Sequence, residues 1–106
     1  MALEQEKCVP CEIGAQPLTY EEAVALCAAI PQWTLKDGEI EREFTLKDFR
    51  AAIAFVNQVA DLAEAQGHHP DIEIHYNKVR LVLSTHKIGG LSRNDFILAA
   101  KIDKMG

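Results

Sequence analysis

From Leu18 onward the apolar positions switch between a helical period and a two-residue period, and each switch marks a new element. Leu18-Thr19-Tyr20-Glu21-Glu22 reads as a capping box: Thr19 accepts from a free backbone amide, and Glu22 reaches back to the cap. Pro31 stops this first helix. Trp33 to Phe44 then alternates around Asp37-Gly38, a pair that readily takes the positive φ angles of a type I′ hairpin turn. Pairing about that turn sets Leu35 opposite Ile40 and Trp33 opposite Arg42 on a buried face. Thr34, Lys36, Glu39, Glu41 and Glu43 fall on a wet one.

A second helix is predicted from about Lys47 to Gln66, with a stripe of Phe49, Ala52, Ile53, Val56, Val59, Ala60 and Ala63, and with Gly67 at its end. After His68-His69-Pro70 comes a second hairpin, Ile72 to Leu83. A two-residue turn in it pairs Tyr76 with Val79 and Ile74 with Leu81, which places Tyr76 in the core and turns Glu73, His75 and Arg80 away. Gly89-Gly90 breaks the chain. Ser92-x-x-Asp95 opens a last helix, with Leu91 and Phe96 as its hydrophobic staple. The order is α-β-β-α-β-β-α. Two one-sided hairpins beside amphipathic helices make an α+β fold, a four-stranded antiparallel sheet with three helices packed on one face. Residues 1–17 lack periodicity and contain Pro10, Gly14 and Pro17, so they read as an irregular arm before a domain at 18–106.

Composition narrows the function. A chain of 106 residues, 48% hydrophobic and 25% charged, suits one domain with a modest core. A net charge of -5 argues against direct nucleic-acid binding, which needs clustered Lys and Arg to neutralise phosphates. The first seven residues carry charges where a signal peptide needs an apolar run, and no stretch approaches the ~20 apolar residues of a membrane span. A cytoplasmic protein without membrane contact is expected. The odd count of three cysteines cannot close into a disulfide framework. Cys8-x-x-Cys11 has no second pair at finger-like spacing, so no metal site is expected, and Cys27 reads as a small apolar helix residue.

Three of the four histidines, His68, His69 and His86, fall at element ends, where sites are usually built. Imidazole titrates nearest neutrality, so several together suit proton transfer in both directions. Any one of them alone is as well explained by capping a carbonyl. The larger pattern Glu64-x3-His68-His69-Pro70-x5-Tyr76-x9-His86-x8-Asp95 carries more, because it resembles the signature of the pterin-4a-carbinolamine dehydratase family at every specified position. The resemblance extends to Trp33, Arg42, Phe44, Asp48-Phe49, Phe55-Val56, Thr85 and Gly89-Gly90-Leu91. Leu46 departs from it, standing where an aromatic residue is expected. The arm with Cys8-Val-Pro-Cys11 is similar to that of bacterial members.

The resemblance implies dehydration of a 4a-hydroxytetrahydropterin, the adduct left by aromatic amino-acid hydroxylases, to quinonoid dihydropterin, with no cofactor and no metal. It implies His68, His69 and His86 as the catalytic and substrate-holding histidines, and Pro70, Thr85, Glu64 and Asp95 as further substrate-site residues. Glu64, one helical turn before His68, is placed to orient it. Asp95 fits the cap opened by Ser92 as well as the site. Two other readings stand beside the enzyme: a non-catalytic dimerisation or coactivator partner of a transcription factor, as in animal members, and a pterin-binding protein in molybdenum-cofactor metabolism.

The unpaired edges of a four-stranded sheet and the resemblance both lead to a homodimer or homotetramer, with the Glu39, Glu41 and Glu43 stripe left wet. Light scattering at micromolar concentration is therefore expected to report at least twice the 11.8 kDa chain mass. A clean monomer there refutes the edge-pairing argument.

Overall fold

The computed structural model describes residues 2–9 and 16–105, so the expectations placed on Pro10, Cys11 and Gly14 lie outside it. Helix α1, Tyr20–Cys27, opens on the predicted capping box: the Thr19 hydroxyl accepts from the Glu22 amide at 3.1 Å, and the Glu22 carboxylate accepts from the Thr19 amide at 2.9 Å. It ends ahead of Pro31, because the amides of Ala28, Ala29 and Ile30 each turn back three residues and tighten the chain out of the α-helix.

Strands β1 (Thr34–Lys36), β2 (Glu39–Thr45), β3 (Asp71–His75) and β4 (Lys78–Leu83) form one antiparallel sheet in the order β1-β2-β4-β3. With α2 (Phe49–Gln66) and α3 (Arg93–Met105) they give the expected α+β order. The first hairpin has the register its Asp-Gly pair dictates, with φ of 46° at Asp37 and 75° at Gly38, and Leu35 opposite Ile40.

The second hairpin corrects the sequence reading. Its turn is Tyr76-Asn77, so Ile74 faces Val79 and Ile72 faces Leu81. Tyr76 takes φ of 57° at the tip and is 68% exposed rather than core. Asn77 selects this register: its side chain donates to the Leu46 carbonyl at 3.0 Å, and its own carbonyl accepts from the Leu46 amide at 2.8 Å. Moving the turn by one residue shifts the pairing by two, so each remaining side chain keeps its predicted face. On the outer face Arg80 donates to both Glu41 and Glu73, tying β2, β4 and β3 together across the sheet.

Helix α2 begins two residues later than predicted because Asp48 is its cap, accepting from the Ala51 amide at 2.8 Å. Its buried stripe is Ala52, Phe55, Val59 and Ala63, stepping by three, four and four. Phe49, in the helix's first turn, is 50% exposed, and Ala60 lies about 100° around the helix from Val59 and is exposed too. The core joins these to Ile40, Val79, Leu81 and Leu83 of the sheet and to Phe96, Leu98 and Ile102 of α3. Trp33 caps one end, its indole donating to Asp103, which also accepts from Arg42 at 2.7 Å.

Every residue of α3 from Asn94 to Ala100 is buried, more than one amphipathic face accounts for. The arm is the reason. Instead of being wholly irregular, it forms a 3-10 turn at Leu3–Gln5 that packs on α3, with Leu3 buried and Lys101 donating to the Glu4 carbonyl at 2.9 Å.

The stretch between β4 and α3 is pinned at both ends. Thr85 and Gly90 exchange backbone hydrogen bonds around a 3-10 turn at His86–Ile88, and the Leu18 amide donates to Leu91 at 2.8 Å. A Cβ on Gly90 would lie 2.8 Å from Pro17 Cβ, inside contact distance. Gly90→Ala is therefore expected to cost about 1–3 kcal/mol of unfolding free energy by overpacking. Denaturant titration checks this, and an unchanged midpoint would remove the close approach from the account.

Candidate active site

Four segments meet at one cavity. The end of α2 brings Gln66 and Gly67 with His68 and His69; the stretch after β4 brings Ser84, Thr85, His86 and Lys87; Asn94 of α3 and Cys8 and Val9 of the arm complete the lining. The volume is about 380 Å³, within the ~300–1,000 Å³ range of small-molecule sites. Of the predicted site residues, His68, His69, Thr85 and His86 line the cavity. Asp95 lies directly behind two of them. Pro70 and Glu64 are not among the lining residues.

Gly67 determines where the paired histidines go. It takes the left-handed conformation, φ 67°, and ends α2 with its amide on the Ala63 and Glu64 carbonyls. The chain turns there, and the two imidazoles part. His68 points inward, its Nε2 2.5 Å from Asp95 Oδ1. His69 points outward, its Nε2 2.6 Å from Glu64 Oε2. Glu64 therefore partners His69 and not His68, because the turn at Gly67 carries His68 off the line of the helix.

Asp95 is fully buried. Its Oδ2 accepts from the Thr85 hydroxyl at 2.8 Å and from the Ser92 amide at 2.9 Å, while Oδ1 takes His68. Only half of the predicted capping box forms, since the Ser92 hydroxyl pairs with Thr85 at 2.7 Å. The carboxylate caps α3 and braces the cavity wall in one arrangement. With Asp95 as a carboxylate, which only accepts, the contact takes the tautomer of His68 that carries its hydrogen on Nε2. His86 is exposed, and among the described residues no side chain pairs with it.

The missed lining residues fall into two groups. Gln66, Gly67, Ser84, Lys87 and Asn94 lie within two positions of predicted residues and were legible by adjacency. Cys8 and Val9 lie in an arm with no periodicity to place it. The arm is fastened beside the site: Glu6 takes both Nε and Nη2 of Arg93, at 2.8 and 2.6 Å. The guanidinium's hydrogen bond holds the Glu6 carboxyl below the ordinary glutamate range. Among the described residues no group of three or more His, Cys, Asp or Glu side chains is arranged to hold a metal ion.

Residues 16–105 match the family described as pterin 4 alpha carbinolamine dehydratase, and the chain belongs to that family. A protein of Methylococcus capsulatus named "putative pterin-4-alpha-carbinolamine dehydratase" is 45% identical over 106 residues, covering 98% of this chain and 93% of its own. A relative of the same name from Chloroflexus aurantiacus is 56% identical over 88 residues, covering 83% and 95%. A solved structure from Brucella melitensis, described as a transcriptional coactivator/pterin dehydratase, superposes with a TM-score of 0.80 at 34% identity, covering 85% of this chain and 98% of that one. The family's reaction is that of a hydro-lyase acting on a pterin.

Asp95→Ala would strip the acceptor from the buried Thr85 hydroxyl and the half-buried Ser92 amide, and free His68. A loss of about 2–5 kcal/mol is expected in chemical denaturation. A loss under about 1 kcal/mol would mean that Asp95 does not brace the wall.

Proposed function

We propose that this protein dehydrates a 4a-hydroxytetrahydropterin to the quinonoid dihydropterin, returning to use the pterin spent by an aromatic amino-acid hydroxylase in the cytoplasm. The observation that carries the reading is the convergence of His68, His69 and His86 on one cavity, with His68 backed by a buried carboxylate.

The reaction removes one proton from N5 and hydroxide from C4a. As the N5 proton passes to a base, its electron pair forms the C4a=N5 double bond, the C4a–O bond breaks, and a proton from an acid lets the oxygen leave as water. A carboxylate behind an imidazole stabilises the imidazolium that forms when the ring accepts a proton. His68 is therefore assigned as the base. His86, exposed and without a competing side-chain partner among the described residues, is assigned as the acid. His69, tethered to Glu64, holds the ring together with Thr85. Asp95 and Glu64 act through their histidines rather than on substrate. Pro70, beside His69, shapes that edge of the site. All of this is acid-base work by imidazoles, and the reading includes no cofactor and no metal.

A partner-protein role is the second reading, favoured by the coactivator description of the Brucella melitensis relative. The retained three-histidine cavity supports catalysis ahead of it. The same reading includes self-association through strand edges into a dimer or tetramer.

The test generates 4a-hydroxytetrahydropterin in situ and follows quinonoid dihydropterin formation against the spontaneous rate. Acceleration is expected, and its absence ends the enzyme reading. Replacing His68, His69 or His86 singly by Ala is expected to lower the rate roughly 10- to 10⁴-fold in folded protein. Wild-type rates in all three would show that the cavity is not where the chemistry occurs.

A further inference from the structure

The cavity's lining is unevenly distributed in polarity. Its histidines, Ser84, Thr85, Lys87, Gln66 and Asn94 are polar, and among the described residues the apolar side chains are Cys8 and Val9, both from the arm. The family match begins at residue 16, so these two precede the matched stretch.

The arm does not merely lie near the cavity. Asn94 grips Val9 from both sides, Oδ1 accepting from its amide at 3.0 Å and Nδ2 donating to its carbonyl at 2.5 Å. Gln66 Oε1 accepts from the Cys8 amide at 3.0 Å. Gln66 immediately precedes Gly67 and His68 in the α2 cap, and Asn94 immediately precedes Asp95. The arm is therefore fixed to the same two segments that hold the His68–Asp95 pair.

A reduced pterin is polar at its pyrimidine end, with amino, carbonyl and ring nitrogen groups, and apolar at its saturated C6–C7 edge. C6 is bonded directly to N5, the atom that must lie against the base. With N5 at His68, the C6 substituent leaves the ring beside the residues anchored next to His68. We propose that Val9 is a specificity-determining residue, an apolar wall carried by the arm against the C6 side chain of the pterin. This rests on the dehydratase reading for the identity of the ring.

Val9 is 64% exposed, so substitution there does not threaten the core. The test is equilibrium binding, read by pterin fluorescence, of two unreactive oxidised ligands: 6-(1,2-dihydroxypropyl)pterin and pterin lacking a C6 substituent. Wild type is expected to favour the substituted ligand. Val9→Ala should weaken that ligand roughly 5-fold and Val9→Asp roughly 10-fold or more, with less than a two-fold change for the unsubstituted one, in proportion to the apolar area that the ligand no longer buries. Equal responses of the two ligands, or none, would overturn the wall. Discrimination in binding without dehydration in the turnover assay would keep the wall and end the catalytic reading. Dehydration with unaltered discrimination would do the reverse, and a protein that binds neither pterin loses both.

Discussion

One buried carboxylate organises this molecule. Asp95 has no exposed surface, and an ionisable group in that position is costly unless its oxygens are satisfied. The satisfaction comes from three places: the start of α3 through the Ser92 amide, the stretch after β4 through the Thr85 hydroxyl, and the α2 cap through His68. These are the segments that wall the cavity. The packing of α3 is thus coupled to site geometry, because Asp95 cannot keep its partners unless helix, loop and cap hold their relative positions. Ser92 strengthens the arrangement by giving its hydroxyl to Thr85 rather than to its own helix. No buried side-chain polar atom among the described residues is left without a partner.

What the sequence revealed and what it hid divide by the range of the deciding interaction. The first hairpin was legible because Asp37-Gly38 sets its own turn, and α1 was legible because Thr19 and Glu22 cap each other within one turn. The second hairpin was misread because its arbiter is Leu46, far away in sequence, whose backbone grips Asn77 and leaves Tyr76 outside. Alternation preserved the faces even so, which is why Ile72, Ile74, Val79 and Leu81 kept the side predicted for them. In α2 the periodicity identified a helix but blurred the stripe, since Phe55 and Val56 are neighbours and only packing against β4 and α3 decides between them.

The site was legible in its titratable groups and hidden in its surroundings. Three histidines at element ends, in a spacing that resembles a known pattern, are the side chains that the structure brings to one cavity; nothing in local spacing pointed to the meeting of His68 with Asp95, 27 positions apart. The Glu64 partnership went to the neighbouring histidine because helical spacing stops applying once the chain leaves the helix. The arm's place was hidden for a different reason. Its stretch from Leu3 to Val9 is too short to show a period, and its order comes from Arg93, Asn94, Gln66 and Lys101, all distant in sequence.

The left-handed turn at Gly67 acts as a phase setter for everything that follows it. Consecutive residues there alternate between a dry environment and a wet one, so His68 and His69 are chemically unlike although identical in sequence. Their difference is a matter of count and not of composition. Inserting a single residue between Gly67 and His68 would carry the first imidazole to the solvent side, although both histidines stay in the sequence. The connection is therefore constrained in length more tightly than in residue type, and its freedom to drift lies in substitutions that leave the spacing intact.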